Sequence, residues 1–128
     1  MKIILSIKPE FANKIFEGDK KFEFRRSIFK NKNVSKVIVY ASSPISKVIG
    51  EFEIGEILFK DLKTLWKETK EFSGITEDYF YEYFVGKENG FALEVKRVKR
   101  YKQELCIKES FGKVPPQSFA YIEESTMP

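Results

Sequence analysis

The residues best equipped for chemistry stand close together near the start of the chain: Lys20, Glu23 and Arg25, with Lys21 and Arg26 beside them. On a strand, alternation turns Phe22 and Phe24 one way and Lys21, Glu23 and Arg25 the other. A carboxylate set among cations at a helix end is either a structural ion pair or the floor of an anion-binding cleft, and we read it as the cleft. Arg25 is the strongest phosphate ligand of the group, because its planar guanidinium donates twice in a fixed fork. Lys20 would serve as a base if Arg25 and Lys21 depress its pKa, with Glu23 orienting it or acting as acid or base itself.

The rest of the composition narrows the chemistry further. The chain of 128 residues contains no histidine, which removes Ser-His-Asp and Cys-His nucleophile pairs, His-ligated zinc and His general bases. Glu17, Asp19 and Glu23 lack the alternating Asp/Asn pattern of calcium loops, and the lysines around them disfavour a cation, so no metal or other cofactor is expected. Ser118 has no identifiable base. Cys106 is the single cysteine and reads as a small buried hydrophobe, which excludes an internal disulfide and fits a reducing cytoplasm. No apolar run approaches the roughly 20 residues of a membrane span, and MKIILSIKPE is too short in its apolar part for a secretory signal. The net charge is +4. Residues 1–40 carry +6, residues 41–90 carry −4 and residues 91–128 carry +2, so a polyanion would meet one side of the molecule.

The elements that must position these groups can be read in order. Lys2–Ile7 is a short isoleucine-rich strand. A helix follows from Pro9 to Glu17, with proline in its first turn and Phe11, Ala12, Ile15 and Phe16 on one face. Gly18 stops it, and a strand runs from Lys20 to Arg26. Strands are expected over Val34–Ala41 and Ser46–Phe59, the second with bends at Gly50 and Gly55. In that strand Val48, Gly50, Phe52 and Ile54 are expected on one side, and Ile49, Glu51 and Glu53 on the other. Two helices come next. Asp61 and Thr76 cap them, and Tyr79, Phe80, Tyr83 and Phe84 form the apolar face of the second. Their acids Glu68, Glu71, Glu77, Asp78 and Glu82 read as a solvated face. Phe91–Tyr101 is a long strand, Lys108–Gly112 a short turn or helical piece, and Ser118–Ile122 a closing strand after Pro115-Pro116. Glu123–Pro128 reads as a frayed tail. This order describes one α+β domain over residues 1–128: a small, mostly antiparallel β-barrel with helices at its rim.

Three segments together resemble an ASCH domain, a member of the PUA-like group of small barrels. They are Ser6-Ile7-Lys8-Pro9 with Gly18-Asp19-Lys20 and Glu23-Phe24-Arg25; Tyr40-Ala41-Ser42-Ser43-Pro44 with Gly50-Glu51-Phe52; and Pro115-Pro116-Gln117-Ser118-Phe119. The last resembles the closing motif of a subgroup regarded as transcriptional regulators. The resemblance covers nearly the whole chain, roughly Lys2 to Ile122. It implies a PUA-like barrel whose cleft, between the barrel and the helix before Gly18, binds RNA or a nucleotide. Lys20 and Arg25 would face the ligand, and Lys8, Tyr40, Ser42 and Gln117 would line the cleft. Small relatives that deacylate modified cytidine use a Lys, a Thr three residues later and a remote Glu. Here the second position is Glu23, so the hydroxyl nucleophile is missing, and the remote Glu falls near Glu71. Other relatives are ribonucleases.

The expected ligand is therefore single-stranded or modified-base RNA or a nucleotide, held in a cytoplasmic protein by Lys8, Lys20, Glu23, Arg25, Arg26, Tyr40, Ser42, Gln117 and Ser118. Lys30, Arg97 and Arg100 would add charge. Tyr40 is a candidate stacking ring, whereas Trp66 and Phe119 read as core. The alternative is an enzyme on nucleic acid, ribonuclease or amidase, using Lys20 and Glu23.

Overall fold

The structure, a computed structural model, describes residues 1–122; the tail Glu123–Pro128, expected to fray, lies outside them. The strands are β1 (Lys2–Ile7), β2 (Phe22–Arg25), β3 (Lys36–Ala41), β4 (Lys47–Asp61), β5 (Asn89–Leu105) and β6 (Phe119–Ile122). The helices are α1 (Pro9–Glu17), α2 (Leu62–Thr69), α3 (Glu77–Tyr83) and α4 (Ile107–Phe111), with a 3-10 turn over Lys70–Phe72 between α2 and α3. Local chemistry accounts for the boundaries. Proline occupies the first turn of α1, and Gly18 ends it at φ 89°. The carboxylate of Asp61 accepts the Thr64 N–H at 3.1 Å, and the Thr76 hydroxyl accepts the Tyr79 N–H at 3.1 Å. Each meets one of the orphan donors at a helix start.

The strands form one sheet in the order β2-β5-β4-β3-β1-β6. Among the described residues only β1 and β3 run parallel, and the other pairs are antiparallel. Parallel neighbours need a crossover, and α1, β2 and the following loop supply it. The helical excursion from Leu62 to Phe84 is inserted between β4 and β5. Among the described residues the ladder ends at β2 and β6, so the expected barrel is not closed by backbone pairing. A side-chain bridge joins those two edges instead, as described below.

Burial follows from alternation on a sheet covered on both faces. Ile3, Leu5, Ile7, Val37, Val39 and Ala41 enter a core under α1, while Ile4, Ile38 and Tyr40 enter a second core with α4. A third core holds Leu65, Phe80 and Phe84 of the excursion against Phe24 and Ala92 of β2 and β5. The simple alternation expected along β4 fails at Gly50. Ile49 and Phe52, three residues apart, share the α1 core, whereas Val48 belongs to the α4 core. The pairing register with β5 shifts between Val48 and Gly50, between Glu51 and Glu53, and again between Ile54 and Ile57 beside Gly55. Each bulge re-phases the strand and sharpens its twist, which curls the sheet around the site.

Gly50 also has no room for a side chain, since a Cβ there would lie 2.5 Å from the Phe16 ring and 2.6 Å from the Lys99 carbonyl oxygen. Gly50→Ala is therefore expected to lower stability by about 1–3 kcal/mol, read as a lower midpoint in urea with an unchanged m-value. An unaltered midpoint would show that α1 and β5 are less tightly packed at the bulge than this account requires.

Candidate functional site

A cleft of about 450 Å³ opens between the start of α1, the β2 edge, α3 and the segment leading into β6. This lies within the about 300–1,000 Å³ of small-molecule sites. Seven of the expected residues line it: Lys8, Lys20, Glu23, Arg25, Arg26, Gln117 and Ser118. Tyr40 and Ser42 do not. Tyr40 is 5 % exposed and packs with Ile4, Val48, Ile107 and Phe111 on the opposite face of the sheet. Strand alternation sends it there because its neighbours Val39 and Ala41 take the α1 side. Ser42 sits in the turn after β3, where its N–H donates to the Ile7 carbonyl at 3.0 Å. Lys30, Arg97 and Arg100 also lie outside the cleft; Arg97 pairs with Glu53, and Arg100 rests over the Phe16 ring. Trp66 and Phe119 pack against hydrophobic cores.

Lys20 forms the floor. It is only 2 % exposed, and its Nζ donates to the Ser73 carbonyl at 2.6 Å. The ammonium stands 4.8 Å from the centre of the Phe24 ring and 5.4 Å from that of Phe11, a cation–π setting that offsets part of its desolvation. Burial lowers its pKa to about 8, with Glu23 opposing the shift and Lys14 adding to it. The expected agents, Arg25 and Lys21, are not the cause. Lys21 lies over Phe72, and Arg25 is engaged by Glu23. The loop after the 3-10 turn is fitted around these cations. Lys14 donates to the Gly74 carbonyl at 3.0 Å. Gly74 itself has φ +70°, and a Cβ there would lie 2.7 Å from the Lys20 Cβ and Cγ. Only glycine lets the backbone lie on the lysine stem.

Arg25 joins the two edges of the sheet. From β2 its Nη1 donates to the Glu23 carboxylate at 3.2 Å, and its Nη2 donates to the Ser118 hydroxyl at 2.6 Å. Ser118 immediately precedes β6. A guanidinium has five N–H donors, so most of its donors are not used by these two bonds. Glu23 is 6 % exposed, and an acceptor buried to that degree needs such a partner. On the far side of the seam the Ser6 hydroxyl donates to the Pro116 carbonyl at 2.5 Å, which anchors the double-proline segment to β1. Arg26 has a different task. Its Nη1 donates to the Tyr83 and Val85 carbonyls, each at 2.8 Å, so the cation caps the negative end of α3.

Two rings that the helical pattern assigns to the core complete the cleft. Tyr79 and Tyr83 both line it, their planes 9° apart and their centroids 6.5 Å apart. The Tyr83 hydroxyl donates to the Phe24 carbonyl at 3.1 Å, and Lys8 donates to the Tyr79 hydroxyl at 3.3 Å. Burial raises the Tyr83 pKa, although the charge of Arg25 opposes this, so the phenol remains a neutral donor. The signal is present in Tyr79-Phe80 and Tyr83-Phe84. Tyrosine stands one helical step from phenylalanine twice over, which sets polar-tipped rings at the boundary and Phe80 and Phe84 beneath. The amidase arrangement finds no hydroxyl in place of Glu23, and Glu71 does not line the cleft. Among the described residues no cluster of acids or Cys could hold a metal ion, and no helix is long and apolar enough to cross a membrane.

The buried ammonium has a thermodynamic signature. Lys20 loses its proton near pH 8 when folded and near 10.5 when unfolded, so between those values the unfolded state binds more protons and stability rises with pH. Relative to Lys20→Met, the wild type is expected to gain about 3 kcal/mol over that interval, measured by urea unfolding at a series of pH values. Parallel pH profiles for the two proteins would mean that Lys20 is solvated.

Comparison with known proteins gives a consistent placement. The ASCH domain matches residues 5–119. An ASCH domain-containing ribonuclease of Zymomonas mobilis is 30% identical over 126 residues, an alignment covering 94% of this chain and 84% of that protein. A large ribosomal subunit protein uL22 of Ureaplasma parvum is 28% identical over 122 residues, and there the match covers 94% of this chain but only 39% of the relative's length. The crystal structure of ASCH from Zymomonas mobilis superposes with a TM-score of 0.90 at 28% identity, covering 98% of this chain and 90% of that one. The N-terminal domain of Staphylothermus marinus McrB, at a TM-score of 0.59 and 13% identity, shares the fold alone, covering 97% of this chain and 89% of that one. With the domain matched over residues 5–119 and a 30% identical ASCH relative covered to 84% of its length, this chain belongs to the ASCH domain family.

Proposed function

We propose that the cleft binds single-stranded RNA, with one nucleotide unit seated in the hollow. One observation carries this reading: four cationic side chains, Lys8, Lys20, Arg25 and Arg26, meet two near-parallel tyrosine rings in a single cleft, with Glu23 the one carboxylate among the lining residues. Cations attract the phosphate, and aromatic faces take an unstacked base at about 1–3 kcal/mol per base. Lys8 and the unused donors of Arg25 are the phosphate ligands, and Tyr79 is the stacking surface. Arg26 holds α3 in place, and Lys20 sets the potential of the floor. Because Arg25→Ala would strand the buried Glu23 carboxylate, Lys8→Gln/Tyr79→Ala is the cleaner variant. It is expected to bind a single-stranded oligoribonucleotide about tenfold or more weakly in filter binding. Wild-type affinity in that variant, or a wild-type affinity indifferent to salt, would overturn the reading.

A ribonuclease reading has its own support. The Zymomonas mobilis relative bears that name, and Lys20, with a pKa of about 8, interacts with the Glu23 carboxylate. In such a reaction Glu23 takes the proton of a 2′-hydroxyl as its oxygen bonds to phosphorus. The Lys20 ammonium protonates the departing 5′ oxygen, leaving a 2′,3′-cyclic phosphate and a 5′-hydroxyl. Arg25 balances the charge on the five-coordinate phosphorus. Glu23→Gln is expected to reduce cleavage by about 10²–10⁴-fold while RNA binding persists, and wild-type cleavage should decline above about pH 8 as Lys20 deprotonates. Cleavage at the wild-type rate in both Glu23→Gln and Lys20→Met would remove both residues from the reaction.

A further inference from the structure

A second concave surface lies on the other side of α3. It is a groove of about 680 Å³ lined by Lys63, Trp66, Lys67, Lys70, Glu77 and Tyr81. Lys63, Lys67 and Lys70 fall at i, i+4 and i+7, so one face of α2 and its 3-10 extension carries all three. All three are exposed, and among the described residues none of their ammonium groups has a carboxylate or carbonyl partner. Glu68 of the same helix pairs with Lys60, and Glu77 is the one carboxylate among the residues that line the groove. The segment charge of residues 41–90 is −4, so the sum along the sequence conceals a local cationic strip. Trp66 leans on Phe80, their centroids 5.1 Å apart, while also lining the groove, and Tyr81 is 38% exposed.

The geometry of α3 connects this groove to the cleft. Tyr79 and Tyr83 line the cleft, whereas Glu77 and Tyr81, displaced by two residues and hence by roughly half a turn, line the groove. Phe80 and Phe84 hold the helix down between them. A strand leaving the cleft has only to cross one helix, about 10–12 Å wide, to reach three cations and two rings. We propose that the groove is a second contact for the same RNA strand, taking phosphates on Lys63, Lys67 and Lys70 and a base on Tyr81. This extends the cleft reading, and it is tested separately from it.

The test compares uridine 5′-monophosphate with a 12-residue oligouridylate. The latter falls within the about 4–16 nucleotides that grooved single-strand binders occupy. Binding is measured against salt for the wild type, for Lys63→Gln/Lys67→Gln/Lys70→Gln, and for Lys8→Gln/Tyr79→Ala. The lysine variant changes only exposed side chains to good helix formers, and circular dichroism verifies its fold. It is expected to bind the 12-mer at least tenfold more weakly, with a log–log salt slope shallower by about 2, and to bind the mononucleotide as the wild type does. Tyr81→Ala is expected to weaken the 12-mer alone. An unchanged 12-mer affinity and slope in the lysine variant, with a loss in Lys8→Gln/Tyr79→Ala, would overturn the groove and leave the cleft reading standing. A loss in the lysine variant alone would establish the groove and overturn the cleft. Absence of 12-mer binding by the wild type at low salt would overturn both.

Discussion

A lysine with 2 % exposure is the constraint around which the site is built. Desolvating an ammonium is costly, and it stays charged only where the surroundings return part of what water gave. Here the return comes from three directions: a carbonyl of the loop between α2 and α3, two aromatic faces, and the Glu23 carboxylate. Each has a structural consequence. The carbonyl fixes the inserted helices against β2, the rings define the apolar wall beneath α1, and the carboxylate must itself be buried and paired. Gly74 closes the arrangement, because no side chain fits between that loop and the lysine stem. The cation thus ties the loop of the helical excursion to β2, while the core of Leu65, Phe80 and Phe84 against Phe24 and Ala92 seats its helices as a wall.

Glu23, once buried to balance Lys20, needs a donor of its own, and Arg25 provides it from two positions along the same strand. Its second hydrogen bond, to Ser118, is what brings the two edges of the sheet together. A sheet that closed through backbone pairing would leave no opening at this point. A sheet joined by one guanidinium keeps a gap between β2 and β6, and that gap opens into the cleft walled by α1 and α3. The bulges at Gly50 and beside Gly55 bend the sheet far enough for its edges to come within a side chain's reach. Cleft and incomplete barrel are therefore one feature.

Much of this is legible in the sequence. Helix starts at Pro9, Asp61 and Thr76 follow from single residues whose capping chemistry is local. Lys8, Lys20, Glu23, Arg25, Arg26, Gln117 and Ser118, singled out from the sequence, line one cleft. What sequence reasoning misses is whatever depends on phase. The polar neighbours of Tyr40, Ser42 and Ser43, suggest an open strand end, while alternation against Val39 and Ala41 sends its ring into the α4 core. The faces of β4 differ from expectation because a bulge resets a period of two. Tyr79 and Tyr83 read as core because an apolar helical face has soft edges, and only packing decides whether a tyrosine at the margin turns in or out. The lowered pKa of Lys20 has a different origin from the one expected, because neighbours in sequence are not its neighbours in space. Desolvation, the largest cause, depends on the inserted helices some fifty residues away.

The presence of Glu23 where hydrolytic relatives carry a threonine bears on which reactions this cleft suits. A threonine attacks a carbonyl and is released from an ester that water opens. A carboxylate in the same place would form a mixed anhydride, a far more labile adduct, and here it is also held by Arg25 and buried beside Lys20. Arg25 holds the Glu23 Oε2 at 3.2 Å, which leaves Oε1 as the oxygen to exchange a proton with a nearby hydroxyl. A phosphodiester asks for that combination: no enzyme-borne nucleophile, one proton acceptor, one proton donor and a fixed positive charge near phosphorus. A ligand that is only held asks for less, the charge and the rings alone. The two proposed readings therefore share their binding residues and divide on a single question, whether Glu23 and Lys20 trade protons with the ligand or merely set the field in which it lies.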